Sequence, residues 1–198
     1  YWCGSLGNND YFRFEFDLRG FGMNAVAEKM TNLEWLTQIG LKAIEYTEDP
    51  KGTGEKGPSW EDRCGAIASI ECPACKSYCE LLVWGDYRDN TQAFAEVCKY
   101  IAKILYSTAE EKVNRQKFDL QLFCFKIARM GVFYNLRPKL KEERTLQGQL
   151  NFFGITEVNA DGFAKRHKYL TFMVESILDG FNEEIDFYVD EYRKELRD

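Results

Sequence analysis

Residues 165–196 read KRHKYLTFMVESILDGFNEEIDFYVDEYRKEL, and the fold class turns on how their apolar positions are spaced. Leu170, Val174, Ile177, Phe181, Ile185, Tyr188, Tyr192 and Leu196 recur every three or four residues, the period of a helix with one apolar face. At 1.5 Å per residue that seam runs about 40 Å, longer than a compact domain of this chain length offers as packing surface. The far end is therefore expected to project or to meet another chain, with Gly180 as a point of bending. The stretch is also acidic. Residues 175–198 hold nine acids against three bases, a net −6, whereas 1–98 carry −7 and 99–174 carry +7.

Working back toward the amino end, EKVNRQKFDLQLFCFKIARMGVFYNL (111–136) is apolar nearly all round between Leu120 and Tyr134, as a helix at the centre of a bundle would be. Pro138 should end it near Leu136. DNTQAFAEVCKYIAKILYS (89–107) sets Phe94, Val97, Cys98, Ile101, Ile104 and Leu105 on one face, with Asp89 or Asn90 as cap. MNAVAEKMTNLEWLTQIGLKAIEY (23–46) has a third helical pattern, and the Gly- and Pro-rich run 47–63 reads as an exposed loop. By contrast YFRFEFDLRG (11–20) alternates Phe12, Phe14, Phe16 and Leu18 with charged residues, the period of a half-buried strand. Its partners would be LLVWG (81–85) and FFGITEV (152–158). The expected fold is thus α+β and helix-dominant: a helical bundle with a small N-terminal β element and a Cys-rich loop-helix insertion. One domain over 1–198 is the default, divisible into a strand, helix and Cys-rich part (1–88) and a bundle (89–198).

The insertion carries Cys64, Cys72, Cys75 and Cys79 within 16 residues. Three readings stand. Four thiolates suit tetrahedral zinc or an iron–sulfur cluster, although the spacing matches a standard zinc site only in part. Disulfides are the second reading, with Cys3, Cys98 and Cys124 as further partners and one of the seven cysteines left over. In the third, buried cysteines are simply small apolar residues. Cys72-Pro73-Ala74-Cys75 at a helix start also suits thiol chemistry, because helix amides lower a thiol pKa.

Other chemistry is thinly marked. His167 is the single histidine, which excludes a His-pair metal centre, and between Arg166 and Lys168 it reads as a surface residue. KGTGEKG (51–57) lacks the strand and helix that a phosphate-cradling loop requires. The basic middle interleaves Lys99, Lys103, Lys126, Arg129, Arg137 and Lys141 with Tyr100, Tyr106, Phe123, Phe133 and Tyr134, so a nucleic-acid partner stays open despite a sequence pI near 5.1. No run approaches the ~18 apolar residues of a membrane span, so transmembrane insertion is not expected. The start at Tyr1-Trp2-Cys3 fits a processed chain in an organelle or other compartment, or a trimmed one.

The expectation that best joins these features is a non-catalytic structural or interaction subunit, an adaptor among other protein subunits, stapled by the cysteine cluster. Its partner contacts would be Phe181, Tyr188, Tyr192, Glu184 and Glu191. The alternatives are a nucleic-acid-binding module with a structural zinc, and a thiol redox enzyme or sensor using Cys72 and Cys75.

Overall fold

The computed structural model describes residues 31–37, 59–85, 90–112 and 118–196. Of these, 84% are helical and none lies in a strand. The helices are α1 (Asn32–Thr37), α2 (Trp60–Ala68), α3 (Pro73–Trp84), α4 (Thr91–Lys112), α5 (Leu120–Leu136), α6 (Pro138–Glu142), α7 (Leu146–Phe152), α8 (Ala160–Arg166) and α9 (Lys168–Glu195). The α+β expectation is therefore corrected to a helical fold. The alternating run 11–20 lies outside the described residues, but both segments expected to pair with it are described, and neither is a strand.

LLVWG is the last turn of α3 and its C-cap. A five-residue apolar run cannot distinguish strand from helix. What decides here is upstream: Pro73 opens the helix at its first position, where a missing N–H costs nothing, and Ala74, Cys75, Tyr78, Cys79 and Leu81 then form one buried stripe. FFGITEV closes α7 instead. Gly154, at φ 65°, reverses the chain in the left-handed region, and Ile155 N–H returns to the Leu150 carbonyl at 2.9 Å, satisfying a helix-end acceptor.

One buried cluster runs from Trp35 in α1 to Val189 in α9 and includes Leu81, Ile101, Leu105, Phe123, Ile127 and Leu178, each at most 1% exposed. α5 sits at its centre, packed on α4 and α9. It ends at Leu136, two residues before Pro138 opens α6. Asn90, expected as a cap for α4, uses its amide to donate to the Glu80 and Gly85 carbonyls and so pins the end of α3.

The expected terminal helix divides at His167. Asn159 caps α8 by accepting from Gly162 N–H at 2.8 Å, and α9 begins at Lys168 and continues through Gly180 without a break. Its length suits the fold because α1, α2 and α3 cover its second half. Trp35, 5% exposed, lies between the guanidinium groups of Arg63 (5.8 Å) and Arg193 (5.5 Å), tying α1, α2 and α9 together. Arg193 Nη1 donates to Asn32 Oδ1 at 2.6 Å, and Asn32 Nδ2 donates to the Asp186 carbonyl at 3.1 Å. The far end of the seam is thus clamped by its own chain rather than projecting.

Candidate functional site

The amino end of α3 gathers Cys72, Cys75 and Cys79 along one side. Cys72 is the half-buried N-cap residue; Cys75 and Cys79, one turn apart, are wholly buried. Cys75 Sγ donates to the Phe181 carbonyl at 3.6 Å, which joins α3 to α9. Cys64 stands half-buried on α2. Cys64, Cys72, Cys75, Cys79, Cys98 and Cys124 are free thiols, and Cys3 lies outside the described residues. Among the described residues no three His, Cys, Asp or Glu side chains stand together so as to hold a metal ion, so the zinc or iron–sulfur expectation has no donor set there.

The chemistry of these sulfurs follows from burial. Desolvation, then Glu184, pushes the Cys75 thiol far above its ordinary range, and burial pushes Cys79 and Cys98 up to about 12 and Cys124 to about 11. A nucleophilic or redox cysteine requires the opposite, since the thiolate is the reactive species. Cys75 and Cys79 behave as small apolar core residues of α3, Cys75 facing α9.

His167 departs from its surface expectation. It is 7% exposed, with its ring 5.0 Å from Phe123, 6.3 Å from Phe163 and 6.4 Å from Phe118. Burial, then the neighbouring Arg166, holds its pKa below the ordinary 6.5.

Much of the basic middle is engaged by other residues of the chain, Lys126 largely buried and Lys99 and Lys141 at the surface. Lys126 pairs with Glu157 at 2.6 Å, Lys141 with Glu175 at 2.8 Å and Lys99 with Glu96 at 3.1 Å. Arg129, Arg137 and Arg144 lie over the rings of Phe125, Phe133 and Phe152. Phe123 and Tyr134, expected as stacking platforms, are buried.

The five residues expected at a partner surface divide between two faces. Phe181 is 5% exposed, its ring 5.8 Å from Tyr78 and 5.7 Å from Tyr100. Tyr188 and Tyr192 pack half-buried against the core, and Glu184 stands half-buried beside Cys75. Glu191 alone is exposed, where it pairs with Lys194 at 2.6 Å. The seam that marks α9 as amphipathic is its inward face.

The outward face carries an aromatic residue that the seam pattern passes over. Phe187 is 62% exposed and lies about 200° around the helix from Ile185 at 3.6 residues per turn. Around it stand Glu183, Asp186, Asp190 and Glu191, offset in part by Lys194. Phe187, Asp186, Asp190 and Glu191 line an open groove together with Arg193 and Lys194, the latter paired with both Asp190 and Glu191, and its other wall includes Thr31 and Asn32. The signal in the sequence is an aromatic side chain out of phase with the apolar repeat and set among acids. Comparison of the chain with family models, with curated proteins and with solved structures finds no match.

Proposed function

We propose that the protein is a non-catalytic interaction subunit that docks a basic segment of another protein, one carrying an apolar side chain, on the outer face of α9. The observation that carries this reading is the exposure of Phe187 at the middle of an acidic stripe, beside the groove walled by Asn32. A large aromatic side chain held on a rigid helix supplies apolar contact at low entropic cost, the character of an interface anchor. The carboxylates around it select the sign of the partner and speed encounter. The clamp of Trp35, Arg63 and Arg193 supports the same reading, because it keeps this end of α9 fixed before a partner arrives.

A panel of fluorescent peptides with Lys or Arg flanking a single Phe, Leu or Trp tests it by anisotropy at two salt concentrations. Saturable binding that weakens with salt is expected, and Phe187→Ala should reduce affinity about 30-fold, as for an anchor residue worth about 2 kcal/mol. Equal binding to acidic peptides, or indifference to Phe187→Ala, would remove the proposal.

A further inference from the structure

Between α4 and the start of α5 lies a second open groove, of about 600 Å³. Its apolar lining is Ala102, Leu122, Phe125 and the ring of Tyr106, and its polar lining is Lys99, Lys103, Asp119 and Gln121. The Arg129 guanidinium lies 6.0 Å from the centre of the Phe125 ring. Leu122 is 47% exposed and is held in the first turn of α5, where its N–H donates to Asp119 Oδ1 at 3.0 Å. A large apolar side chain fixed in water beside further apolar surface marks a contact surface.

The carboxylates near this groove are engaged at home. Asp119 caps α5, Glu96 pairs with Lys99 at 3.1 Å, and Glu110 accepts from the Tyr106 hydroxyl at 2.9 Å. Lys103 and Arg129 are both exposed, and neither pairs with a carboxylate among the described residues. The outer face of α9 is the counterpart. There Asp190 and Glu191 share Lys194, at 3.3 and 2.6 Å, and Arg193 is turned to Asn32 and Trp35. That leaves Glu183, one turn before Phe187, and Asp186, next to it, as exposed carboxylates with no cation partner among the described residues. Each surface thus sets an exposed apolar side chain, Leu122 or Phe187, beside two charges that its own molecule leaves unpaired, and the signs are opposite.

From this complementarity we infer that the groove between α4 and α5 docks the outer face of α9 from a second copy of the chain. Phe187 enters among Ala102, Tyr106, Leu122 and Phe125, while Glu183 and Asp186 meet Lys103 and Arg129. The inference rests on the docking reading of α9 and names a partner for it. Because the two surfaces differ, the contact is head-to-tail: each pair keeps one free face and one free groove, and growth continues beyond two chains unless a ring closes.

Sedimentation equilibrium of the full chain from about 10 μM to about 1 mM, at about 50 and about 500 mM salt, tests it. A contact of less than standard size should show a Kd of about 100 μM at the lower salt and weaken about tenfold at the higher. Phe187→Ala and Lys103→Glu alter exposed side chains and should each weaken association about tenfold or more. Mixed one to one, they should regain the parental affinity but stop at two chains, because the first keeps its groove and the second its acidic face. Misfolded variants would not recover on mixing. A chain monomeric at about 1 mM, association unmoved by either variant, or variants that fail to complement each other would each overturn the inference. So would a monomeric chain whose groove takes an acidic Phe-bearing peptide, which would assign the groove to another protein. A monomeric chain that still binds the basic peptides removes only this inference; one indifferent to them loses the docking reading as well.

Discussion

Gly131 and Gly180 both lie inside helices, and the structure assigns them opposite responses to the same substitution. A Cβ built on Gly131 in α5 falls 2.5 Å from Val174 Cγ1, 3.0 Å from its Cβ and 3.3 Å from Cγ2 on α9. Carbon atoms in contact prefer about 3.5–4.0 Å, so one helix must retreat by about 1 Å. Val174 cannot yield by rotation: it is 0% exposed, β-branched and held to one favoured rotamer in a helix. Gly131→Ala gains about 1 kcal/mol of helix propensity and meets an overpacking cost at the upper end of the usual 1–3 kcal/mol, for a net loss of about 2 kcal/mol. Gly180 in α9 is exposed and a Cβ there meets nothing within 4 Å, so Gly180→Ala keeps only the propensity gain, about 0.5–1 kcal/mol. Urea unfolding followed by circular dichroism should place the two midpoints about 1 M apart on either side of the parent, for a slope of about 2–3 kcal/mol per M. In the Gly131→Ala, Val174→Ala double variant the loss should be smaller than the sum of the single losses by about 1 kcal/mol. Two alanine variants shifted in the same direction would refute the close approach of α5 and α9.

The unfolded chain binds a proton at His167 more readily than the folded one, so stability should be full above pH 6.5 and fall as pH drops below it; His167→Phe should flatten that part of the profile, and an unchanged slope in the variant would contradict the burial. At pH 8 a thiol reagent should label the half-buried Cys64 and Cys72 readily, while Cys75, Cys79, Cys98 and Cys124 react only as the protein unfolds; rapid labelling of Cys75 in the folded protein would refute its placement. Trp35→Ala removes the side chain between Arg63 and Arg193 and should cost about 3 kcal/mol, against a loss below 1 kcal/mol if α1 is only loosely attached.

The helices with long uninterrupted apolar repeats were legible without coordinates: α4, α5 and α9 lie where the three-and-four spacing places them, because each shows one apolar face or is apolar all round. The short segments were not. LLVWG looked like a strand since so short an apolar run holds no period, and its helical state depends on Pro73 eight residues before Leu81. His167 read as a surface residue from Arg166 and Lys168, yet it sits at the break between α8 and α9, where the side chain turns inward onto Phe123 and Phe163. The inward seam of α9 was visible, but its length invited a projecting end, and only the fold brings Asn32 and Trp35 across 150 residues to cover it. Phe187 was hidden by the same logic, since a search for the apolar phase passes over an aromatic residue on the far side.

The proposed docking role of α9 is tested most directly by backbone amide chemical shifts in the presence of a Lys-flanked Trp peptide. Perturbations centred on Glu183, Asp186, Phe187, Asp190 and Glu191, reaching Thr31 and Asn32 across the groove and absent in Phe187→Ala, are the expected result. Shifts centred elsewhere, or a spectrum unchanged at saturating peptide, would contradict the assignment of this face as the contact surface.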